Sequence, residues 1–478
     1  MADSEYDVIV LGAGPAGENA ADRAVKGGLT AVIVEAELVG GECSYWACMP
    51  SKALLRSPQA IAEARAVDGA RQAVRGAVDA AAVLARRNRF THNWQDDGQV
   101  RWLDSAHIAF VRGWGRLAGE KRVEVAGADG QVTSLTARQA VVIATGSGAA
   151  IPPLPGLAEA RPWTSREATS AQRVPERLAV IGGGVVACEM ATAWRALGAR
   201  QVTMLVRSRL LGNYEPFAGE QVAASMRAQG IDVRLGVNPT GVRRPGGEGP
   251  LTMTLDDGST LTADEVLVAT GRRPRTTDIG LETVGLEPGK WLAVDDSCRV
   301  TAVAGGWLYA IGDVNHRALL THMGKYQARA CGDVIAARAK GEAAAREPAP
   351  WSRYAATADH GAVPQVVFTH PEVGAVGLTE AEARKQGLPV KAVEYELGHV
   401  AGAALYADGY QGHAKLVVDE QRRVVVGATF VGPAVGELVH AATIAVVGEV
   451  PLDRLWHAVP SYPTISEVWL RLLEAYGL

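Results

Sequence analysis

The first hydrophobic pattern of the chain is a short apolar run at residues 6–11, followed by a glycine-rich turn and an alanine-rich stretch to about residue 27. A second apolar run at residues 30–34 ends in Glu35. Short apolar runs bounded by turn residues are typical of buried strands, and the alanine-rich stretch between them favours a helix. The order therefore predicts a βαβ unit.

The turn of this unit has glycine at Gly12, Gly14 and Gly17. Such glycines let a pyrophosphate reach the N-terminus of the helix, and an acid about 20 residues later binds the ribose hydroxyls. Glu35 stands at the position of that acid. A tight turn without a ligand is the alternative, but strand, helix, strand and acid together favour a dinucleotide site.

A second unit repeats the pattern, with strands predicted at residues 178–181 and 201–206 and a helix at residues 188–197. The small residues of its turn are Gly182, Gly184 and Ala187. Two such units in one chain predict two bound nucleotides.

The second strand of this unit ends in Arg207, with Arg209 nearby, where an NAD site would carry an acid. Arginine at this point accommodates a 2′-phosphate, so the pattern favours NADPH over NADH. A pair of exposed arginines without a ligand is the alternative.

The rest of the pattern predicts one helix over residues 52–87, β-structure near residues 122–125, and a last helix at residues 468–476. Apolar strands ending in Ala-Thr-Gly occur at residues 140–146 and 266–271. Proline-containing segments at residues 151–156 and 340–350 have the composition of linkers.

Candidate redox chemistry lies in Gly-Gly-Glu-Cys-Ser-Tyr-Trp-Ala-Cys-Met-Pro-Ser-Lys at residues 40–52. A regular helix separates residues five apart by about 7.5 Å, beyond the roughly 7 Å Cα limit for a disulfide. If Cys43 and Cys48 bridge, the segment must be distorted, and Pro50, which lacks an N–H, is consistent with that. Two unrelated buried cysteines are the alternative.

Composition narrows the class of protein. At 478 residues the chain has room for roughly three domains of ~150 residues. Its net charge of −4, without a basic arm, argues against nucleic acid as a partner. No apolar run approaches the ~18 residues of a membrane span, and no signal peptide is evident, which favours a cytoplasmic location. Five cysteines are few for a secreted framework, and Cys188, Cys298 and Cys331 are interpreted as structural.

The cysteine segment resembles the redox motif of the FAD-dependent pyridine nucleotide-disulfide oxidoreductases, Gly-Gly-x-Cys-x-x-x-x-Cys-x-Pro-Ser-Lys, at every fixed position. The resemblance runs from about residue 5 to the C-terminus. It implies an α/β fold with two Rossmann-like dinucleotide-binding domains and a C-terminal α+β dimerisation domain. The implied bounds are 1–155 with 290–345 for FAD, 156–289 for NAD(P)H and 346–478 for dimerisation.

The resemblance also implies roles for individual residues. Cys48 is the thiol that faces the flavin, Cys43 exchanges with the acceptor, and Lys52 forms an ion pair with Glu189 beside the flavin. The residues expected to bind FAD are Gly12, Gly14, Gly17, Glu35, Gly41, Lys52, Thr145, Gly146, Gly312, Asp313 and His322. Those expected to bind NADPH are Gly182, Gly184, Ala187, Arg207, Arg209 and Gly271. No metal is expected.

The chain departs from the family near its C-terminus. Disulfide reductases of the family generally carry His-Pro-Thr-x-x-Glu there, with the histidine as acid and base, whereas this chain has Tyr462-Pro463-Thr464 and then Glu467. His457 lies five residues before Tyr462, but the intervening Pro460 argues against a simple replacement. Glu467 with Thr464 also fits a capping box for the last helix, with Pro463 at its start.

The resulting hypothesis is a homodimeric enzyme that passes electrons from NADPH through FAD to the two cysteines and on to a small-molecule disulfide or related acceptor. The chain ends without the vicinal cysteine pair of mercuric reductases, which argues against mercury, and lipoamide is not expected either. Tyr-Pro-Thr and Trp46 are similar to soluble transhydrogenase. Direct transfer from flavin to a quinone, dye or second nicotinamide, and a flavin-bound redox sensor, are the alternatives.

Overall fold

The computed structural model describes residues 4–478 and divides them into two compact units. The first unit comprises the residues up to 49, 88–150 and 271–360. The second comprises residues 50–87, 151–270 and 361–478. The three-domain division given above stays a prediction.

The strands, in chain order, are β1 (Ser4–Leu11), β2 (Ala31–Glu35), β3 (Ala109–Arg112), β4 (Trp114–Leu117), β5 (Arg122–Ala126), β6 (Val132–Ile143), β7 (Ser147–Ala149), β8 (Arg177–Ile181), β9 (Gln201–Val206), β10 (Asp232–Leu235), β11 (Pro239–Arg243), β12 (Leu251–Leu255), β13 (Thr260–Ala263), β14 (Glu265–Val268), β15 (Arg272–Pro274), β16 (Leu308–Ala310), β17 (Gln365–Val367), β18 (Glu372–Gly377), β19 (Val390–Glu396), β20 (His413–Asp419) and β21 (Val424–Gly432).

The helices are α1 (Pro15–Lys26), α2 (Gly41–Tyr45), α3 (Cys48–Arg65), α4 (Ala80–Phe90), α5 (Asp97–Ser105), α6 (Ser165–Ser170), α7 (Val185–Ala196), α8 (Pro216–Ala228), α9 (Thr321–Ala339), α10 (Glu380–Lys385), α11 (Ala401–Tyr406), α12 (Val439–Val447), α13 (Leu452–Leu455) and α14 (Val468–Tyr476).

The first unit is built on a sheet in the order β3-β2-β1-β6-β5-β4, with β16 also paired to β6. Strand β1 runs parallel to both β2 and β6. Its residues Val8, Ile9 and Val10 are fully buried, because a central parallel strand is covered on both faces. This arrangement confirms the predicted βαβ unit.

The second unit contains a parallel sheet in the order β10-β9-β8-β14 and an antiparallel sheet in the order β17-β18-β21-β20-β19. Helix α7 connects β8 to β9 and is buried from Ala187 to Trp194, so its apolar sequence extends around most of its surface. A small antiparallel sheet, β11-β12-β13, completes the unit. The second predicted βαβ unit is thus confirmed.

One predicted element is wrong. Residues 52–87 do not form a single helix, since α3 ends at Arg65 and α4 begins at Ala80. Gly69 and Gly76 have positive φ in the intervening segment, and the Ala66 carbonyl accepts a hydrogen bond from the Asp408 backbone N–H at 2.7 Å. Glycines in left-handed conformation and a non-helical backbone partner end the helix despite the alanine- and arginine-rich sequence.

Candidate functional site

The first glycine turn packs its own backbone closely and leaves space at one point. A Cβ on Gly17 would lie 1.9 Å from the Gly12 carbonyl oxygen, and one on Gly12 would lie 2.5 Å from the Ala144 carbonyl oxygen. A Cβ on Gly14 would meet no atom within 4 Å. Gly14 is the N-cap of α1, and no side chain caps this helix. The free N–H groups and the open space are what a pyrophosphate requires.

Glu35, at the end of β2, is held by the backbone on both sides. Its two carboxylate oxygens accept hydrogen bonds from the N–H groups of Ala13, at 2.8 Å, and Glu37, at 2.7 Å. The acid predicted to bind ribose hydroxyls therefore lies beside the glycine turn.

The helix is interrupted between Cys43 and Cys48. Helix α2 ends at Tyr45, Trp46 has non-helical φ and ψ of −137° and 4°, and α3 begins at Cys48. Cys43 and Cys48 are not joined by a disulfide, and their thiols lie within hydrogen-bonding contact of each other. The distortion expected of a bridged pair is present. Pro50, in the first turn of α3, has no N–H to donate to the carbonyl of Trp46, the non-helical residue four positions earlier, which is consistent with the interruption.

Thr321, the first residue of α9, contacts the cysteine pair. Its hydroxyl lies 3.2 Å from the Cys48 Sγ. The hydrogen bond to Cys48, and then burial, raise the pKa of the Cys43 thiol, while Thr321 and the charge of Lys325 act in the opposite direction. Sequence reasoning missed both Thr321 and Lys325, because nothing along the chain indicates that the start of α9 meets the cysteines.

Asp313 lies in a 3₁₀ turn, Gly312–Asn315, that follows β16. Its carboxylate accepts a 2.5 Å hydrogen bond from the Ser147 hydroxyl and lies 3.5 Å from the Arg272 guanidinium. The Gly312 N–H donates to the Gln327 side chain at 2.8 Å. Ser147, Arg272 and Gln327 were not predicted, since only the sheet and α9 bring them to this turn.

Four further residues expected to bind FAD differ in burial and in the space around them. Thr145 has a buried hydroxyl oxygen without a hydrogen-bond partner among the described residues, and Gly146 has a φ of +72° and faces open space. A Cβ on Gly41 would lie 2.8 Å from the Gly14 Cα. His322 is the exposed second residue of α9. The orphaned hydroxyl, the open space and the uncapped helix fit a dinucleotide such as FAD.

The second glycine turn repeats the geometry of the first. Gly182 has a φ of +131°, and a Cβ there would lie 2.3 Å from the Ala269 carbonyl oxygen, while a Cβ on Gly184 would meet open space. Ala187 is fully buried at the third small position. This unit fits a second nucleotide by the same physical test.

Arg207 and Arg209 follow β9 and are exposed. Arg209 donates a 2.5 Å hydrogen bond to the Gly212 carbonyl, which curls the loop around its guanidinium. Gly271 belongs to the first unit, where it has a φ of +147° and accepts a backbone hydrogen bond from Ala150 at 2.9 Å.

Lys52 and Glu189 form the predicted ion pair, at 2.7 Å. Glu189 is buried, and its second oxygen accepts a 3.0 Å hydrogen bond from the Phe368 backbone N–H. The Lys52 ammonium also lies 4.7 Å from the centre of the Phe368 ring. The pair is confirmed, while its position beside a flavin stays a prediction.

Tyr462 is 76% exposed, so its phenol is presented at the surface of the chain. Glu467 is buried; one of its oxygens accepts a 2.7 Å hydrogen bond from Arg471, and the other has no hydrogen-bond partner among the described residues. The Thr464 hydroxyl donates to the Ser461 carbonyl instead of capping α14, so the predicted capping box is wrong.

Pro463 does not begin the last helix, which starts five residues later at Val468. A 3₁₀ turn, Ile465–Glu467, fills part of the interval. The bounds predicted for the helix itself, residues 468–476, are confirmed.

Among residues 4–478, no group of three or more His, Cys, Asp or Glu side chains could hold a metal ion. Across that described part of the chain, no helix combines the length and the apolarity needed to span a bilayer.

The sequence matches two family models. Residues 6–338 match the model of the pyridine nucleotide-disulphide oxidoreductases, and residues 363–472 match the dimerisation domain of the same family. The chain therefore belongs to the pyridine nucleotide-disulphide oxidoreductases, a family of flavin-dependent enzymes.

Individual relatives extend over nearly the whole chain. It is 33% identical over 473 residues to dihydrolipoyl dehydrogenase 3 of Pseudomonas aeruginosa, covering 97% of this chain and 96% of the relative. It is 31% identical over 469 residues to a mercuric reductase of Staphylococcus aureus, covering 97% and 81%. A copper(II) complex of the HOCl-induced flavoprotein disulfide reductase RclA from Escherichia coli has the same fold, with a TM-score of 0.82, 21% identity and 99% coverage of both chains.

Proposed function

We propose that the protein is a homodimeric disulfide reductase in which NADPH supplies electrons through FAD to Cys43 and Cys48. The reduced cysteines then reduce a small disulfide or a related acceptor. The observation that carries this proposal is the contact between the two thiols, created by the interruption between α2 and α3.

The two cysteines have different roles in this proposal. Reduction of their disulfide takes up two electrons and two protons and leaves two thiols. Cys43 then attacks a disulfide acceptor as a thiolate, forms a mixed disulfide and expels one half of the acceptor as a thiolate. The Cys48 thiolate next attacks the Cys43 sulfur, expels the second half of the acceptor and restores the Cys43–Cys48 disulfide. The contact between Cys48 and Thr321 supports a fixed inner position for Cys48.

The first glycine turn, Glu35 and Asp313 would hold FAD, which would carry electrons from the coenzyme to the disulfide. Gly14 leaves space at the helix N-terminus for the pyrophosphate, Glu35 would bind the ribose, and Asp313 would bind the ribityl chain. Lys52, fixed by Glu189, places positive charge where negative charge develops on reduction. The carboxylate of Glu189 is fully engaged, which supports a fixed position for the ammonium.

The exposed loop after β9 is the basis for preferring NADPH. Arg207 and Arg209 follow the second strand of their unit, as Glu35 ends the second strand of the first unit. Neither arginine forms an ion pair with another described residue. Guanidinium groups there can bind a 2′-phosphate through charge-assisted hydrogen bonds.

Tyr462 takes the place of the family's histidine in the partner subunit's redox cleft. A tyrosine has a reference pKa near 10 against about 6.5 for histidine, so at neutral pH it donates a hydrogen bond but holds no positive charge. Tyr462→Phe should impair acceptor reduction while flavin reduction by NADPH continues at the parent rate. If Tyr462→Phe matched the parent protein in both half-reactions, Tyr462 would be a packing residue and not part of acceptor reduction.

The cysteine assignment is tested by spectroscopy and turnover. A thiolate next to oxidised flavin gives a long-wavelength absorbance band in the two-electron-reduced protein. The Cys43→Ser variant should keep the band and the Cys48→Ser variant should lose it. If a Cys43→Ser/Cys48→Ser double variant reduced the acceptor as fast as the parent, electrons would pass directly from the flavin and the proposal would fail.

A further inference from the structure

Helices α1 and α9 run side by side in the first unit, with their N-termini at the same end. A Cβ on Gly324 would lie 3.5 Å from the Ala16 Cβ, and further along both helices Arg23 makes two 2.7 Å hydrogen bonds to Asp333. Glu18 lies between these contacts on α1. The register therefore places Glu18 opposite the second turn of α9.

Lys325 stands in that second turn. It follows Thr321 by four residues, a spacing that puts both side chains on one face of the helix. Thr321 contacts Cys48, and the charge of Lys325 acts on Cys43 and on Glu18. One face of α9 thus connects the cysteine pair to the carboxyl group of α1.

Glu18 has a buried oxygen without a hydrogen-bond partner among the described residues. The charged groups that act on it are Lys325 from α9 and Glu35 from β2, and Glu18 in turn acts on the Tyr45 hydroxyl of α2. The pKa of Glu18 is raised to about 7: burial is the main cause, the charge of Lys325 opposes it, and Glu35 makes a smaller upward contribution. Lys325 is therefore a positive charge that acts on a carboxyl group with one unsatisfied buried oxygen.

We propose that Lys325 is a positioning residue for the dithiol, whose ammonium favours the thiolate form of Cys43 and whose effect Glu18 moderates. The inference rests on the proposed disulfide reductase function. Tyr462 cannot hold the positive charge that a histidine supplies to the thiolate, and Lys325 supplies a fixed charge from within the same chain.

The step that Lys325 assists is a proton loss. Two-electron, two-proton reduction of the disulfide gives two thiols, and the Cys43 thiol releases one proton to solvent before it attacks. The attack forms one S–S bond and breaks the S–S bond of the acceptor, whose leaving sulfur departs as a thiolate. A nearby positive charge lowers the free energy of the charged thiolate relative to the thiol.

The test measures alkylation of Cys43 in the FAD-loaded protein. The disulfide is reduced with a phosphine under anaerobic conditions, so that the result does not depend on NADPH turnover. Iodoacetamide labelling of Cys43 is then followed by peptide mass spectrometry across pH. Lys325→Met should move the midpoint of the profile upward by about one pH unit. Lys325→Arg should keep the parent midpoint, since it retains the charge.

Glu18→Gln provides a change of opposite sign. It removes a negative charge and keeps the shape of the side chain, so the midpoint should move downward. The matched control is Lys340→Met, which removes an exposed lysine at the other end of α9 and should leave the midpoint unchanged.

A Lys325→Met midpoint equal to that of Lys340→Met would overturn the inference. Shifts of the same sign in Lys325→Met and Glu18→Gln would also overturn it, because they would indicate that both changes loosen the site. If the pH profile of Cys43 alkylation in Glu18→Gln matched that of the parent, Glu18 would not moderate the effect of Lys325. Failure of the proposed function is seen separately, as undiminished turnover in the double cysteine variant.

Discussion

The two βαβ units of this chain share a close backbone approach at the first glycine of the turn but differ in the side chains around it. In both, the first glycine has a positive φ, and a Cβ there would strike a carbonyl oxygen at the end of a neighbouring strand, at 2.5 Å for Gly12 and 2.3 Å for Gly182. Strand β2 ends at Glu35, whereas Arg207 directly follows the end of β9 at Val206. Close backbone approach at the first glycine is therefore shared by the two turns, whereas the residues at the strand ends carry opposite charges.

The residues after the third small position differ as well. Glu18 and Asn19 of α1 correspond in spacing to Cys188 and Glu189 of α7. Asn19 donates a 2.8 Å hydrogen bond to the Pro15 carbonyl within its own helix, whereas Glu189 pairs with Lys52. Each unit thus has one acid in the first turns of its helix, but at different positions and with different partners.

The largest effect is expected from exchanging the third small residue. Gly17→Ala places a Cβ 1.9 Å from the Gly12 carbonyl oxygen, where backbone must shift, and should destabilise the first unit by about 3 kcal/mol. The measurement is denaturation followed by flavin release. Gly14→Ala is the control: its Cβ meets open space, so the fold should persist while FAD binds more weakly. Parent-like stability of Gly17→Ala would show that the first turn has room for the methyl group that Ala187 carries in the second turn.

Glu18 should make the first unit less stable as pH rises. Burial raises its folded-state pKa from 4.5 to about 7, so its favourable contribution is complete below pH 4.5 and is lost as pH rises to about 7. Between pH 5 and pH 8 the parent should lose about 2 kcal/mol relative to Glu18→Gln, which does not titrate. Denaturation of both proteins at the two pH values measures the difference, and parallel pH dependence would argue against a buried Glu18.

Arg207→Glu gives the second unit the residue type of the first. Loss of a charge-assisted contact and repulsion of the 2′-phosphate should raise the KM for NADPH at least about tenfold and improve use of NADH. Steady-state kinetics with both coenzymes make the measurement. Arg200→Glu, which changes an exposed arginine directly before β9, should leave both KM values unchanged. An unaltered NADPH:NADH ratio in Arg207→Glu would remove the arginine from coenzyme selection.

The smallest effect is expected from Ala187→Gly, the reverse of the first exchange. It removes a buried methyl group and adds backbone freedom in α7, which together cost about 1 kcal/mol. The fold and the KM for NADPH should be retained. Loss of coenzyme binding would show that the second turn does not accept the glycine that the first turn has at this position.

Elements set by local pattern were predictable from the sequence. Strand β9 and helix α14 have the predicted bounds, because apolar periodicity and turn residues specify them locally. The Lys52–Glu189 pair was predictable only through the family resemblance, since 137 residues separate the two.

The rest depends on contacts that no local pattern encodes. The prediction of one helix over residues 52–87 was wrong because the backbone hydrogen bond from Asp408 and two glycines with positive φ outweigh the helix propensity of the segment. The prediction of a capping box was wrong because the Thr464 hydroxyl donates its hydrogen bond to the nearby Ser461 carbonyl. Thr321, Lys325 and Gln327 were missed because their roles arise from the packing of α9 against the rest of the first unit.

Glu189 has a consequence for synthesis of the chain on the ribosome. One of its oxygens meets Lys52, 137 residues earlier, and the other meets the Phe368 backbone, 179 residues later. Because N-terminal parts fold first during translation, a nascent chain shorter than 368 residues leaves this buried carboxylate without one of its donors. The charged centre therefore reaches its final form only after the family's dimerisation domain, residues 363–472, has begun to emerge.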